Sequence, residues 1–155
     1  MDGLAHVVFG LLFFGDRSLL LWWLFFSAAP DLPDVLLIPR FVRNLLSRYG
    51  FRNPAREGRR ITRVWKPLVR ATHSVPVFLT VFFLVWFING TPFLPLFAWL
   101  AHLGIDIFTH SRKYHPVEFL WPFSSVSFDG WAWSRPAMLV GTYVALLVLL
   151  LYELL

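Results

Sequence analysis

The chain has 155 residues, of which 57% are hydrophobic, 19% are aromatic and only 15% are charged. Soluble globular domains carry about 25% charged residues, so the composition argues against a soluble domain and favours a membrane protein with aromatic rings at the interface. Cysteine is absent, which excludes disulfides and thiolate metal sites and leaves histidines and carboxylates as the strong metal ligands. The length suits a single domain over residues 1–155.

The net charge of +5 is concentrated in one part of the chain. The stretch from Arg40 to Arg70 contains ten basic residues and one acidic residue, Glu57. Beside long apolar segments, such a stretch is typical of a cytoplasmic loop that faces anionic lipid. We therefore interpret residues 35–70 as a basic cytoplasmic segment. Nucleic-acid binding is the alternative, but the stretch lacks a recognisable module and interleaved aromatic residues, so no nucleic acid is expected as a partner.

The apolar segments predict an all-α fold, a multi-pass membrane bundle of four to five helices. In chain order the predicted helices cover residues 3–14, 18–29, 75–88, 93–110 and 137–155. The first two would each be about 18 Å long, which is short for a hydrocarbon core of about 30 Å. They are expected to form a partly inserted hairpin or to pack inside the bundle. Residues 137–155 are the best candidate for a single transmembrane helix.

The fourth apolar segment, FLPLFAWLAHLGIDIFTHS, contains three polar residues at every fourth position: His102, Asp106 and His110. Four residues advance a helix by about 400°, so all three project from nearly one face. Unpaired polar groups in apolar surroundings cost several kcal/mol. A divalent metal ion is a suitable partner, since imidazole and carboxylate are its ordinary ligands. A hydrogen bond between His102 and Asp106 is the simpler alternative.

Four further candidate ligands are expected at the same end of the bundle. If the helices alternate in direction, His6 near the start of the first helix meets Asp31 and Asp34 after the second and His73 before the third. That end also carries the basic segment, which by the positive-inside rule places it in the cytoplasm. Taken singly, each of these residues has a simpler explanation: an interfacial histidine, acidic residues that break the chain beside prolines, or a bystander next to a helix cap.

Gathered together, these side chains predict a metal site that could hold two ions, an arrangement suited to the hydrolysis of phosphoesters. A carboxylate not bound to metal could act as general base. His110 is a further candidate ligand. His115, in SRKYHPVEF, is interpreted as a surface or interface residue, and the substitution His115→Ala is expected to be tolerated.

The order of these motifs resembles the YdjM-like family of inner-membrane, metal-dependent hydrolases. The residues that carry the resemblance are Ala5-His6, Pro30-Asp31-Leu32-Pro33-Asp34, Arg70-Ala71-Thr72-His73-Ser74, His102 with Asp106-Ile107-Phe108-Thr109, and Leu120-Trp121-Pro122-Phe123. It covers most of the chain apart from the basic segment and the last helix. It implies a multi-pass helical membrane protein with a metal site made by His6, Asp31, Asp34, His73, His102 and Asp106. Val35 follows Asp34, where some relatives have a histidine.

The hypothesis from the sequence is a metal-dependent hydrolase of the cell inner membrane with its site at the cytoplasmic face. Zinc is the expected metal, with manganese or magnesium as alternatives. His73 and His102 would be ligands, Asp31 and Asp106 would ligate or bridge, and Asp34 would ligate or act as base. The expected partners are membrane lipid and a phosphoester or lipid-like substrate. The alternative is a non-enzymatic membrane protein whose His/Asp cluster binds a structural metal or relays protons.

Overall fold

A computed structural model of the chain describes residues 3–13, 17–33, 66–113, 116–133 and 135–154. Within these ranges the regular structure is entirely helical, which confirms the predicted all-α class for this part of the chain. The α-helices found there are α1 (Gly3–Phe13), α2 (Leu20–Ala28), α3 (Lys66–Thr72), α4 (Val75–Asn89), α5 (Leu96–Thr109) and α6 (Pro136–Leu154). Short 3-10 turns at Arg17–Leu19 and Ala29–Asp31 flank α2.

The ends of α4 follow from local sequence. Ser74 has extended backbone and its side chain accepts a hydrogen bond from the Val77 N–H, as a helix N-cap does. Pro76 lies in the first turn, where its missing N–H costs nothing. The helix stops at Gly90, whose φ of +73° lies in the left-handed region that favours glycine. Immediately before this helix, α3 is bent away from α4 by 60°, and His73 and Ser74 lie at the bend.

The hydrophobic core lies between α4 and α5. Phe78 and Phe82 of α4 pack with Leu96 and Leu103 of α5, and Phe26 of α2 lies against this cluster. Helix α2 also packs on α1 and along α5, while α6 packs on α1. This packing brings four parts of the chain to one place: the start of α1, the end of α2, the C-terminal half of α5 and the α3–α4 bend.

The predicted helices are reproduced with shifted ends. The predicted segment 93–110 becomes helical only at Leu96, since Pro95 serves as its N-cap. Helix α3 was not predicted, because its residues belong to the basic stretch whose prolines and charges indicated an irregular loop. The rest of that stretch, residues 35–65, lies outside the described residues.

The length and apolar character of the helices decide whether one of them can cross a membrane. Among the described residues, no helix alone combines the length and the apolar character needed to cross a membrane. Lys66–Thr72 and Val75–Asn89 meet that requirement only together, as a bent pair. The helix predicted at 137–155 is present as α6, and its transmembrane placement stays a prediction, as does the multi-pass arrangement.

Candidate metal centre

Four of the predicted site residues come together at one point. Asp31, His73, His102 and Asp106 each offer one ligand atom, and these atoms all lie within 4.8 Å of one another. Asp31 comes from the turn after α2, His73 from the α3–α4 bend, and the other two from successive turns of α5. Two histidines and two carboxylates are a usual donor set for a divalent metal ion.

The rings of His102 and His73 are oriented by backbone carbonyls. His102 Nδ1 lies 2.7 Å from the Ser27 carbonyl oxygen, and His73 Nδ1 lies 3.0 Å from the Val69 carbonyl oxygen. A carbonyl can only accept, so Nδ1 carries the hydrogen in both rings and, in the neutral form, Nε2 has the free lone pair. Histidine ligands in metalloproteins are held in this way, with one nitrogen donating to a fixed acceptor and the other facing the metal.

Both Nε2 atoms face the same two carboxylates. His102 Nε2 lies 3.1 Å from Asp106 Oδ2 and 3.6 Å from Asp31 Oδ1. His73 Nε2 lies 3.4 Å and 3.6 Å from the same two oxygens. His102 Nε2 is buried and makes no hydrogen bond to any residue that the structure describes. A neutral Nε2 and a carboxylate oxygen are both hydrogen-bond acceptors. They can lie this close together only with a cation between them, either protons on the rings or a metal ion.

The spacing of these atoms fits a metal ion. Zinc binds nitrogen and oxygen ligands at about 2.0–2.2 Å in a tetrahedron, so its ligand atoms lie about 3.4 Å from one another. The four nitrogen–oxygen separations at this site run from 3.1 to 3.6 Å. These four separations match the tetrahedral value, and all four ligand atoms lie within 4.8 Å of one another, so binding of one ion would draw the side chains closer together.

His6 lies beside this group rather than in it. Its Nε2 donates to Asp106 Oδ1 at 2.9 Å, and its ring stacks on the His102 ring with 3.6 Å between the centroids. The side chain is completely buried. By holding Oδ1, His6 turns the other oxygen of Asp106 toward His73 and His102. The sequence prediction placed His6 among the metal ligands, whereas its geometry is that of a residue that orients a ligand.

The other candidates have different outcomes. His110 donates from Nδ1 to the Asp106 backbone carbonyl at 3.1 Å and lies outside the group of four. Asp34, predicted as a ligand or base, and His115, predicted as a surface residue, lie outside the described residues.

Two groups at the edge of the centre have shifted pKa values. Burial alone would raise the pKa of Asp31, but its interactions with the facing imidazoles of His102 and His73 outweigh burial and hold the pKa well below its ordinary value. Burial lowers the pKa of His110 to about 4, so its ring is neutral at pH 7. Asp31 is also the most accessible of the four, with its side chain 23% exposed while the other three are at most 8% exposed. The centre therefore opens on the Asp31 side.

Several contacts that support the site could not have been predicted from the sequence. The Thr72 hydroxyl donates to the Pro30 carbonyl at 2.9 Å, and the Trp99 indole N–H donates to the Thr72 carbonyl at 2.7 Å. These bonds tie α3 to the turn that carries Asp31 and to α5. Backbone carbonyls such as those of Ser27 and Val69 leave no trace in the sequence. The small residue Gly10, where an added Cβ would lie 2.7 Å from Ser27 Oγ, is the one available signal of close α1–α2 packing.

Comparison with family models, with curated proteins and with solved structures gives no match to this chain. The geometry of the four side chains is therefore the basis for any functional assignment.

Proposed function

We propose that this protein is a metal-dependent hydrolase of the inner membrane, related to the YdjM-like family. One observation supports the metal-dependent part above all others. The Nε2 atoms of His73 and His102 face Asp31 and Asp106 at 3.1 to 3.6 Å while both Nδ1 atoms donate to backbone carbonyls. A simple hydrogen bond between His102 and Asp106 would not require a second oriented histidine and a second carboxylate at the same point.

The donor set of two nitrogens and two oxygens favours zinc, with manganese or magnesium as alternatives. When bound, such an ion supplies Lewis acidity toward water and toward a phosphoryl oxygen. His73 and His102 would hold it as neutral imidazoles, and Asp106, with His6 on its far oxygen, would hold it from the buried side. Asp31 would complete the set at the accessible side.

Asp31 is also the residue best placed to meet a water molecule that enters the site. Its carboxylate is ionised at neutral pH, and it is the accessible member of the group. A water molecule that enters from this side meets Asp31 first, so its carboxylate would orient the water by accepting a hydrogen bond, while its lowered pKa makes it a weak proton acceptor. Asp34, the last residue of the same Pro-Asp-Leu-Pro-Asp motif, keeps the base role proposed from the sequence alone.

The site is proposed to lie at the cytoplasmic membrane interface. Large apolar side chains are exposed on α4 and α6, including Phe87 at 87% and Tyr152 at 78%, and hydrocarbon is a natural environment for such surfaces. The basic stretch of residues 35–70 would face anionic lipid headgroups. A phosphoester with a lipid-like tail, reaching the site from the interface, is the substrate class that suits both features.

The proposal is tested by assaying detergent-purified protein on a chromogenic phosphodiester and on phospholipid vesicles, with and without a chelator. We expect hydrolysis that the chelator abolishes and that added zinc or manganese restores. The variant His102→Ala should be inactive, while His115→Ala, the matched histidine control, should retain activity. Activity that resists the chelator, or survives in His102→Ala, would contradict the proposal.

A structural metal site is the second candidate, favoured by the number of protein ligands. Four protein ligands can close a tetrahedral zinc site, whereas catalytic zinc keeps one position open. A protein that binds the ion, loses stability when the ion is removed and hydrolyses none of the phosphoesters would support this second candidate against the first.

A further inference from the structure

We infer that Ser74 and the loop of residues 116–123, here called the docking loop, position His73 for metal binding. This inference rests on the metal centre of the proposed function. Neither Ser74 nor the docking loop contributes a ligand atom to the group of four. Their role is to hold the α3–α4 bend, where His73 lies, at one angle.

His73 needs such support because it lies where two helices break. Helix α3 ends at Thr72 and α4 begins at Val75, with a bend of 60° between them. Binding groups have to be held within about 0.5 Å and 10–20° of their working geometry. A change in the bend angle would carry the imidazole of His73 away from the two carboxylates.

The docking loop contacts the chain on both sides of His73. Before it, Arg70 donates to the Glu118 carboxylate. After it, the Ser74 hydroxyl donates to the Trp121 carbonyl oxygen. The backbone adds a third contact, in which the Val75 N–H donates to the Phe119 carbonyl oxygen at 2.9 Å. Together these contacts join the end of α3 and the start of α4 to one short loop.

The docking loop is itself suited to act as a fixed support. It is folded into tight turns, with the Trp121 N–H donating to the Glu118 carbonyl at 2.9 Å and the Phe123 N–H to the Leu120 carbonyl at 3.0 Å. Two residues at the contact between the loop and the bend are buried. Glu118 of the loop is 8% exposed, and Ser74, whose hydroxyl donates to the Trp121 carbonyl of the loop, is completely buried. Buried hydrogen bonds are costly to leave unmade, so the loop and the bend are expected to move together.

The opposite side of the bend is held independently. There the Thr72 hydroxyl donates to the Pro30 carbonyl, and the Trp99 indole donates to the Thr72 carbonyl. These bonds fix the end of α3 but do not reach the first turn of α4. Ser74 does reach it, because the same hydroxyl oxygen accepts from the Val77 N–H. Ser74 thus links α4 to the docking loop directly beside the metal-binding histidine.

The test compares Ser74→Ala with the conservative variant Ser74→Thr and with Thr80→Ala as a control. Thr80 is an exposed hydroxyl residue of the same helix, and its side chain donates to the Pro76 carbonyl of that helix at 2.9 Å. For each full-length protein in detergent, the affinity for cobalt is measured by competition with a chelator, and the visible absorption of bound cobalt reports the ligand geometry. Thermal unfolding is followed in parallel.

We expect Ser74→Ala to bind cobalt about 10-fold more weakly, the lower end of the effect of losing a group that orients a metal ligand, with an altered absorption spectrum. Ser74→Thr should recover most of the affinity, and Thr80→Ala should match the wild type. If Ser74→Ala does not fold, Glu118→Ala, which removes the contact to Arg70, is expected to show the same loss of affinity and the same spectral change.

Two outcomes would overturn the inference, and they differ in what they say about the proposed function. If the variants lose thermal stability while their cobalt affinity stays within twofold of the wild type and their spectra are unchanged, the docking loop is only structural and the proposed function is unaffected. If wild-type protein binds no cobalt, the metal centre is absent, and both the inference and the proposed function fail.

Discussion

Substitution of Gly130 by alanine is expected to detach one chain segment from the end of α5. Residues 130–133 run beside that end, and their N–H groups donate to carbonyls that no longer have helical partners. The three hydrogen bonds are Gly130 to His110 at 2.9 Å, Trp131 to Phe108 at 2.9 Å and Trp133 to Thr109 at 2.8 Å. They hold the helix end that carries Asp106, one turn before His110.

The size of the effect follows from the contacts at Gly130. A Cβ added there would lie 2.2 Å from the Phe108 carbonyl oxygen and 2.8 Å from that of His110. Ordinary carbon–oxygen contacts are no closer than about 3.3 Å, so the segment has to move by about 1 Å. A shift of that size breaks or weakens all three hydrogen bonds. At about 1 kcal/mol of net stability each, the expected loss is about 3 kcal/mol.

Denaturant unfolding of Gly130→Ala in detergent measures this loss, with Gly104→Ala as the matched control. Gly104 lies inside α5 and an added Cβ there has no neighbour within 4 Å, so alanine should stabilise the helix by up to about 1 kcal/mol. Equal unfolding free energies for the two variants would refute the reasoning.

Three further predictions concern the surroundings of the metal centre. Gly10→Ala would place a Cβ 2.9 Å from Ser27 Cβ, so we expect the free energy of unfolding to fall by about 1–3 kcal/mol and ion binding to weaken. Gly141→Ala, where an added Cβ has no neighbour within 4 Å, should leave ion binding unchanged and stabilise its helix by up to about 1 kcal/mol. His6→Gln is expected to weaken ion affinity by about 10-fold without abolishing it, because His6 orients Asp106; complete loss of binding in chelator competition would identify His6 as a ligand instead. Ion-free protein is expected to lose stability as the pH falls from 6.5 to 4, because the unfolded chain protonates His110 at its ordinary value while the pKa in the folded protein is about 4. This difference between the two pKa values of His110 corresponds to about 3 kcal/mol of unfolding free energy. The unfolding free energy of His110→Asn should lack this part of the pH dependence.

The central pair of the site was predictable because helical periodicity is a strong local signal. His102 and Asp106 stand four residues apart in an apolar segment, and the structure places both on the buried face of α5. Asp31 and His73 were predicted from an argument about chain direction, and the structure brings them to the same point. These predictions needed only the direction of each helix.

The remaining features depend on details that sequence patterns do not encode. The sequence could not show that His6 donates to Asp106 Oδ1 while His73 and His102 face Oδ2, and the role of His6 as a ligand stays a prediction. Nor did the sequence indicate helix α3. The motifs that contain Ser74 and residues 120–123 gave no sign that these residues hold the bend between α3 and α4, because the contacts there are made by a buried serine hydroxyl and backbone carbonyls. Such contacts are set by tertiary packing rather than by residue type.

Elemental analysis of the purified protein tests the central claim most directly, by counting bound metal ions per chain after equilibration with zinc and removal of the excess. The account predicts one ion per chain in the wild type and almost none in Asp106→Asn, which has the same shape but lacks the buried negative charge. A wild-type protein without zinc, or an Asp106→Asn variant that retains it fully, would contradict the account.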